Sequence, residues 1–198
     1  LTDSDQCRRL VEATTDHFGG VDILANSAFQ PGELKRFADS DLRQWRDLFE
    51  VNVFGTLELT QCAIPALRAR GGGAVVFVNS MVIRKTGAIA EGGYAASKGA
   101  LFAAARVLAH ELGRDKIRVN SVVPGWMWGP NVQMYVDYMA QKRGVAPEEI
   151  KAEIAKPMAL GEIPTSEEVS EAVAFLASDR ASAITGQTLD VNGGEYFN

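Results

Sequence analysis

A tyrosine and a lysine four residues apart are the pair in this sequence best suited to acid-base chemistry. They bound the segment Tyr94-Ala95-Ala96-Ser97-Lys98, and on an α-helix this spacing places both side chains on one face, one turn apart. A free tyrosine has a pKa of about 10, too high for a base near neutrality. Because a nearby ammonium stabilises the phenolate, we expect Lys98 to lower the pKa of Tyr94 and make it a general acid/base. Taken alone, the spacing also fits a surface lysine beside an amphipathic tyrosine.

The elements around this pair alternate between strands and helices. Short apolar runs predict buried strands over residues 21–25, 74–78, 117–123 and 186–191. Helical patterns are predicted over residues 3–18, 40–69, 94–113 and 166–178, with Pro65 weakening the last turns of the second, and a mostly helical but irregular pattern over 131–156. The predicted caps are Thr2 or Asp3 for the first helix, a residue near Ser40 for the second, and Thr165 or Ser166 for the last. Continuous apolar strands separated by helices predict an α/β fold, a doubly wound parallel sheet covered on both faces.

In such sheets, ligands bind beyond the carboxyl ends of the strands. This rule selects three loops, residues 26–29, 79–81 and 124–128, which we expect to line one cleft. No internal repeat, low-complexity segment or linker interrupts the pattern. The sequence therefore predicts one domain with a single site at one edge of its sheet.

Composition excludes several other functions. The chain has 198 residues, enough for a sizeable core, and a formal net charge of -5, which argues against a nucleic-acid partner. No apolar run approaches the roughly 18–20 residues of a membrane span. No signal peptide is visible in the polar segment that follows Leu1, so we expect a cytoplasmic protein without a membrane partner.

Cysteines and histidines are too few to carry the chemistry. Cys7 and Cys62 lie in predicted helices without CxxC spacing, so we interpret both as reduced thiols. His17 and His110 are the only histidines, so no metal site is expected. The chemistry must then work without a histidine base or a protein-bound metal.

Six segments in order along the chain, at matching spacing, carry a family likeness. They are Asp22–Ala28, Asn52–Gly55, Val78–Ser80, Tyr94–Lys98, Ile117–Gly125 and Leu189–Gly194. Together they resemble the short-chain dehydrogenase/reductase family over essentially the whole chain. The resemblance implies a single NAD(P)-binding, Rossmann-like domain over residues 1–198. It also implies an oxidoreductase that transfers a hydride between nicotinamide and a secondary alcohol or ketone, with NAD or NADP as cofactor.

The resemblance also implies a catalytic tetrad. Tyr94 exchanges the proton with the substrate oxygen, and Lys98 lowers its pKa and hydrogen-bonds the nicotinamide ribose. Ser80 hydrogen-bonds the substrate oxygen, and Asn52 holds a water that links Lys98 to solvent. The alternatives are a loop hydroxyl capping a strand end for Ser80 and a helix residue that bonds backbone for Asn52. The cofactor-binding positions implied are Asn26, Ala28, Asn79, Tyr94, Lys98, Pro124 and Gly125.

One family feature is missing. A glycine-rich TGxxxGxG turn receives the pyrophosphate in the family, and no segment here fits it. The three glycines at 71–73 lead into a strand, so we interpret them as a turn. Leu1–Asp3 resembles the segment just after the family's third strand, so the N-terminal βα units are lacking. We expect the working protein to include an N-terminal part; a truncated, inactive product is the alternative. NAD cannot be distinguished from NADP, because the discriminating residues belong to that part.

Two smaller departures affect the cleft. Phe29 stands where the family has a glycine and is expected to narrow the cleft. The stretch from Ser80 to Tyr94 is one residue longer than the commonest family spacing, which on strict counting would put Met81 at the catalytic position. Because a thioether cannot donate a hydrogen bond, we favour Ser80 with a one-residue insertion in the loop.

The region over residues 126–160 corresponds to the family's substrate-covering lid. Its aromatic and methionine content is typical of an apolar pocket for a hydrophobic alcohol or ketone, with Met81, Trp126 and Trp128 as substrate-binding residues. These side chains could equally pack the lid on the core. Arg84, Lys85 and Arg143 could meet an acidic substrate group, although ordinary surface charges are the simpler interpretation.

Assembly and alternatives complete the sequence-based expectations. Helices 94–113 and 40–69 match those through which family members pair, and residues 189–194 match a second contact, so a homotetramer or homodimer is implied. A non-catalytic fragment or subunit is the main alternative to the enzyme. A hydrolase on an α/β sheet would need a GxSxG elbow, which the sequence lacks.

Overall fold

A four-stranded parallel sheet forms the centre of the computed structural model, which describes residues 1–85 and 91–197. The strands are β1 (Ile23–Asn26), β2 (Gly73–Val78), β3 (Ile117–Pro124) and β4 (Thr188–Val191), and they lie side by side in chain order. All three pairings are parallel, so every strand ends at the same edge of the sheet. The predicted α/β class and parallel sheet are confirmed.

Seven α-helices precede, connect or follow these strands in the described residues. They are α1 (Ser4–Phe18), α2 (Leu42–Phe49), α3 (Thr56–Ala69), α4 (Gly92–Leu112), α5 (Pro130–Arg143), α6 (Pro147–Ala155) and α7 (Ser166–Ala177). The predicted caps of the first and last are confirmed. The Asp3 carboxylate accepts hydrogen bonds from the first turn of α1, and Thr165 and Glu168 form a capping box at α7. Within the described residues, none of the helices combines the length and apolar character that crossing a bilayer requires.

Apolar side chains leave the sheet on both faces. Val75 and Phe77 of β2 belong to a cluster with Leu101 of α4 and Leu67 of α3. Val76, between them in sequence, belongs to a second cluster that includes residues of α7. Because successive strand residues point to opposite faces, this alternation shows a sheet covered on both sides.

The predicted helical stretch over residues 40–69 is confirmed from Leu42 to Ala69, with one irregularity. Helix α2 continues after Phe49 into a π-helical segment over Glu50–Gly55, which leads directly into α3. A π turn adds one residue to the α-helical repeat while leaving the apolar pattern on either side intact, so periodicity does not reveal it. The predicted stretch 131–156 is instead two helices, because Gly144 ends α5 in the left-handed conformation.

Helix α4 begins two residues before the predicted start. Gly92 and Gly93 form its first turn, where glycine is a poor helix former. A Cβ at either position would lie 3.1–3.2 Å from the ring of Trp45 in α2. The two glycines therefore let α2 approach the start of α4 closely, just ahead of Tyr94.

Candidate active site

The three predicted loops lie at the carboxyl edge of the sheet. Each follows the last residue of its strand, and the strands are neighbours in the order β1, β2, β3. At the end of β3, the Gly125 N–H donates to the Val191 carbonyl at 3.1 Å. A Cβ on Gly125 would lie 3.0 Å from Cβ of Asn192, which follows β4. The backbone is thus closely packed where the strands end.

Ser80 and Tyr94 meet at this edge. Ser80 follows β2 and caps the 3-10 turn Met81–Ile83, its hydroxyl accepting from the Val82 N–H at 3.4 Å. The Ser80 hydroxyl is placed near enough to the Tyr94 phenol to act on it as a hydrogen-bonding group and lower its pKa. Ser80 therefore lies beside the tyrosine, and its assignment as the catalytic serine in place of Met81 stays a prediction. The insertion inferred between them lies in a loop whose residues 86–90 are outside the described residues.

Burial sets the acidity of Tyr94. Desolvation raises the pKa of its phenol above the ordinary value of 10.0, and the negative charge of Glu91 raises it further. The hydrogen bond with Ser80 acts in the opposite direction but does not prevail. The predicted lowering of this pKa by Lys98 is therefore not found in the described chain.

Lys98 is almost fully buried, with 3% of its surface exposed. Its Nζ donates a hydrogen bond to the Val78 carbonyl at 2.8 Å, and burial lowers its pKa from 10.5 to about 8. The Nζ lies 5.7 Å from the centre of the Tyr94 ring and 5.8 Å from that of Phe29. The lysine is thus held by β2 near two aromatic rings, beside the phenol whose pKa burial raises.

Asn52 lies in the π-helical segment and is also buried. Its amide pairs with the backbone of Gln30, accepting from the N–H at 2.7 Å and donating to the carbonyl at 2.9 Å. It also donates to the Ser97 hydroxyl at 3.1 Å, which itself donates to the Tyr94 carbonyl at 2.8 Å. Asn52 therefore ties the loop after β1 to the first turn of α4. Its predicted water-holding role stays a prediction.

Three residues of the site were not anticipated from the sequence. Ser97 is fully buried between Asn52 and Tyr94, Gln30 offers its backbone to Asn52, and Glu91 lies half-buried one turn before Tyr94. Burial raises the pKa of Glu91. Ser97 could have been considered from the sequence, because a serine three residues after Tyr94 lies near it on a helix. The other two depend on contacts that no local pattern encodes.

The loop after β1 presents a polar anchor and an aromatic ring. Asn26 is buried, and its Nδ2 donates to Thr60 Oγ1 at 3.0 Å, which fixes the end of β1 to α3. Ala28 is exposed. The Phe29 ring lies 6.1 Å from the Tyr94 ring and is about half exposed. Phe29 thus lies beside the catalytic candidates, consistent with the expected narrowing.

The buried side chain of Asn79 lacks hydrogen-bond partners among the described residues. It has 3% of its surface exposed, and neither its amide nitrogen nor its amide oxygen has a hydrogen-bond partner among the described residues. Leaving a buried amide unpaired costs on the order of 1–3 kcal/mol per group. Asn79 therefore offers a donor and an acceptor to a ligand that reaches the end of β2.

The predicted substrate residues divide into two groups. Met81 is buried beside Gly125, with its sulfur 3.5 Å from where a Cβ would stand. Trp126 stacks near Tyr135, at 5.2 Å between ring centres, and Trp128 lies under the Lys151 ammonium at 4.1 Å. Both tryptophans join apolar clusters formed within residues 126–163. Their contacts favour packing of the lid, while Met81 adjoins the cleft.

The three cations considered for an acidic substrate have protein partners. Arg143 pairs with Glu153 at 2.5 Å, Arg84 with Asp190 at 3.6 Å, and Lys85 with Glu195 at 3.2 Å. The Arg143 pair is exposed, as the simpler interpretation expected. Arg84 is instead largely buried.

Comparison with known proteins places this arrangement in context. The family model described as enoyl-(acyl carrier protein) reductase matches residues 1–195. The chain is similar to a short-chain type dehydrogenase/reductase of Sinorhizobium fredii, with 32% identity over 197 residues that cover 98% of this chain and 73% of the relative.

Two solved structures share the architecture. L-sorbose reductase from Gluconobacter frateurii, complexed with NADPH and L-sorbose, has a TM-score of 0.92 and 27% identity, covering 100% of this chain and 74% of that one. NAD+-bound xylitol dehydrogenase has a TM-score of 0.87 and 26% identity, covering 98% and 76%. The likeness to both extends over all or nearly all of this chain.

Proposed function

The chain belongs to the short-chain dehydrogenase/reductase family, and from this membership we propose that it is an NAD(P)-dependent oxidoreductase acting on a secondary alcohol or ketone. The observation that carries the proposal is the meeting of Ser80, Tyr94 and Lys98 at the carboxyl edge of the sheet. Its relatives support the cofactor, since L-sorbose reductase holds NADPH and xylitol dehydrogenase holds NAD+.

Tyr94 is the proposed acid/base. Because its pKa is raised, the phenol is protonated near neutral pH and ready to protonate the oxygen of a carbonyl substrate. Ser80 donates a hydrogen bond to the same oxygen and stabilises its developing negative charge. In the direction of alcohol oxidation, the phenol must first lose its proton, which a neighbouring positive charge would favour.

The residues present fit the nicotinamide half of the cofactor. When bound, the cofactor supplies or accepts the hydride. Lys98 would hydrogen-bond its ribose, since one carbonyl contact leaves lysine donors free, and the unpaired amide of Asn79 would meet a polar group of the ligand. Asn26, Ala28, Pro124 and Gly125 complete the proposed binding set. No segment of this sequence supplies the glycine-rich phosphate turn.

The proposed organisation is one NAD(P)-binding domain over residues 1–198, with residues 126–160 covering the substrate. Met81 is the proposed apolar contact for a hydrophobic substrate, with Trp126 and Trp128 shaping the lid around it. Asn52 is proposed to orient α4 and to support a water near Lys98. A homotetramer or homodimer formed through α3 and α4 is the proposed assembly.

Cofactor-dependent turnover tests this proposal. The intact protein is incubated with NADH or NADPH and a panel of ketones that includes hydrophobic ketones, sugar ketones and 3-oxoacyl thioesters, and loss of the reduced nicotinamide is recorded. We expect turnover with at least one ketone and a preference for one cofactor. Absence of both cofactor binding and turnover would instead favour the non-catalytic subunit.

A further inference from the structure

The segment that carries Ser80 is tied to the last strand of the sheet. We define residues Ser80–Lys85 as the serine turn, which begins with Ser80 as a cap and continues through the 3-10 turn Met81–Ile83. Its last two residues, Arg84 and Lys85, reach side chains more than 100 positions later in the sequence, on and just after β4. The serine turn is thus fixed at its far end by contacts outside its own strand.

Arg84 makes three kinds of contact. Its Nη2 donates a hydrogen bond to Thr188 Oγ1 at 2.6 Å, and its Nε lies 3.6 Å from Asp190 Oδ1. Thr188 and Asp190 are two residues apart on β4, so both side chains lie on the same face of the sheet. The guanidinium also lies 5.4 Å from the centre of the Phe102 ring in α4, two helical turns beyond Tyr94. Arg84 therefore links the serine turn to β4 and to the helix that carries Tyr94.

Burial distinguishes this contact from an ordinary surface pair. The side chains of Arg84 and Asp190 are 18% and 14% exposed, whereas those of Arg43 and Asp41 are 83% and 39% exposed. Solvent screens the exposed pair, while removing one member of a buried pair leaves the other charge poorly solvated. Lys85 adds a second attachment by pairing with Glu195, whose side chain is 6% exposed. The serine turn is therefore held more firmly than a surface loop.

We propose that Arg84 is a positioning residue that holds the Ser80 hydroxyl against Tyr94 by anchoring the serine turn to Thr188 and Asp190. The inference deepens the proposed function, since it assigns a residue that acts through the Ser80–Tyr94 pair. Arg84 reaches no reacting atom itself. Its role is to restrict where the turn can move, so that the two hydroxyls stay within hydrogen-bond distance.

A double-mutant experiment tests whether Arg84 acts through Ser80. Arg84→Met and Ser80→Ala are made singly and together in the intact protein, and kcat, KM and the pH profile of turnover are measured. We expect Ser80→Ala to lower kcat about 100-fold and Arg84→Met about tenfold, with smaller changes in KM. In the Ser80→Ala background, Arg84→Met should cause no further loss.

The pH profile gives a readout that a purely structural role would not move. The Ser80 hydrogen bond lowers the pKa of Tyr94, so losing it should shift the profile of alcohol oxidation to higher pH. Glu91 and Lys98, the other ionisable groups near the phenol, stay in place in both variants. Shifts to higher pH in both single variants, the smaller one in Arg84→Met, and no added shift in the double variant support the proposal. Equal losses from Arg84→Met in both backgrounds would overturn it.

Two further variants distinguish loss of the Arg84 anchor from misfolding of the protein. Thr188→Val removes only the hydroxyl that accepts from Arg84 and should reproduce a smaller part of the Arg84→Met effect. Arg43→Met removes an exposed cation and should leave kcat and the pH profile unchanged. A Thr188→Val protein that folds and keeps the wild-type profile would contradict the anchoring.

A measurement without turnover separates this inference from the proposed function. Tyrosine labelled with carbon-13 at Cζ gives a Tyr94 signal, assigned by its disappearance in Tyr94→Phe, whose position reports on the hydrogen bond to its hydroxyl. Arg84→Met and Ser80→Ala should displace this signal in the same direction, and Arg43→Met should not. If the wild type has no turnover but the signals move together, the proposed function fails and the positioning stands. An unmoved signal in Arg84→Met refutes the positioning whatever the activity.

Discussion

Two cations, the buried Lys98 and the partly buried Arg118, lie at opposite edges of the sheet, and they are held very differently. Arg118, near the start of β3, donates to the backbone carbonyls of Leu176, Ala177 and Ser178 at 2.7–3.1 Å, where α7 ends. Lys98, at the carboxyl edge, donates to the single carbonyl of Val78. Burial lowers the pKa of both side chains.

The difference separates a cation whose contacts are all with the protein backbone from one that we propose binds a ligand. Arg118 donates its hydrogen bonds to backbone carbonyls that α7 leaves unpaired, and it therefore stabilises the end of that helix. Lys98 keeps donors for a ligand and lies near two aromatic rings. A cleft of about 910 Å³ lies at the amino edge, beside Asp22, Arg70 and Arg118, so the presence of a cleft does not by itself identify the site. The proposed site is indicated instead by polar groups that are buried without enough partners.

The largest expected effect comes from removing the phenol at the carboxyl edge. Tyr94→Phe should lower kcat by about 100- to 10,000-fold, because general acid/base catalysis contributes that much. Its affinity for NAD(P)H, measured by fluorescence titration, should stay within a few-fold of wild type. Tyr138→Phe, which alters an exposed tyrosine of α5, serves as the matched control and should keep full activity. Undiminished turnover in Tyr94→Phe would contradict the proposed acid/base at the carboxyl edge, so the two edges would no longer differ in function.

Removing the cation at the amino edge should affect stability instead. Arg118→Met leaves several backbone carbonyls without a donor, and we expect a loss of roughly 1–3 kcal/mol in the free energy of unfolding. The measurement is urea unfolding followed by circular dichroism, with kcat measured on the folded variant. We expect kcat to remain near the wild-type value. An Arg118→Met protein that folds normally but loses turnover would assign a catalytic role to the amino edge and would contradict this expectation.

The lowered pKa of Lys98 predicts that the contribution of this residue to the unfolding free energy depends on pH. Its pKa is about 8 in the folded protein and near 10.5 in the unfolded chain, so between these values only the unfolded chain keeps the proton. Stability therefore rises with pH across this window, by at most about 1.4 kcal/mol per pH unit. The difference in unfolding free energy between wild type and Lys98→Met should be flat below pH 8 and should grow in favour of wild type above it. A flat difference up to pH 10 would contradict the lowered pKa.

The smallest effect is expected at Asn79. Asn79→Leu removes an amide that lacks partners in the described chain, so the unfolding free energy should be unchanged or slightly higher. Affinity for the nicotinamide cofactor should fall about tenfold, the equivalent of one lost hydrogen bond. Isothermal titration calorimetry measures it, with Asn192→Leu as a contrast, since Asn192 already pairs with Gly194 and Tyr196. Unchanged affinity would show that Asn79 does not meet the ligand.

Sequence reasoning reached the parts of the site that local rules determine. Tyr94 and Lys98 follow from helical spacing, and the convergence of Asn26, Asn79 and Gly125 follows from the common direction of parallel strands. For the first and last helices, the sequence also narrowed the cap to two adjacent residues, of which the structure uses Asp3 and Thr165. Each depends on residues close together in sequence or on a rule of sheet topology.

The remaining features depend on the assembled fold. Arg84 meets Thr188 across 104 positions and Asn52 meets Ser97 across 45, distances over which one sequence carries no pairing signal. The direction of the Tyr94 pKa was predicted wrongly because desolvation depends on everything packed around the ring. The assignments of catalytic and cofactor-binding roles stay predictions until the variants above are measured.

The π-helical segment over Glu50–Gly55 makes insertions and deletions more damaging than substitutions. A π turn holds one residue more than an α-helical turn, so deleting one residue there would convert it into a regular α-helical turn and change the position of Asn52. Asn52 would then lose its contacts with Gln30 and Ser97. Libraries that vary chain length should therefore find this stretch fixed in length even where single replacements are accepted.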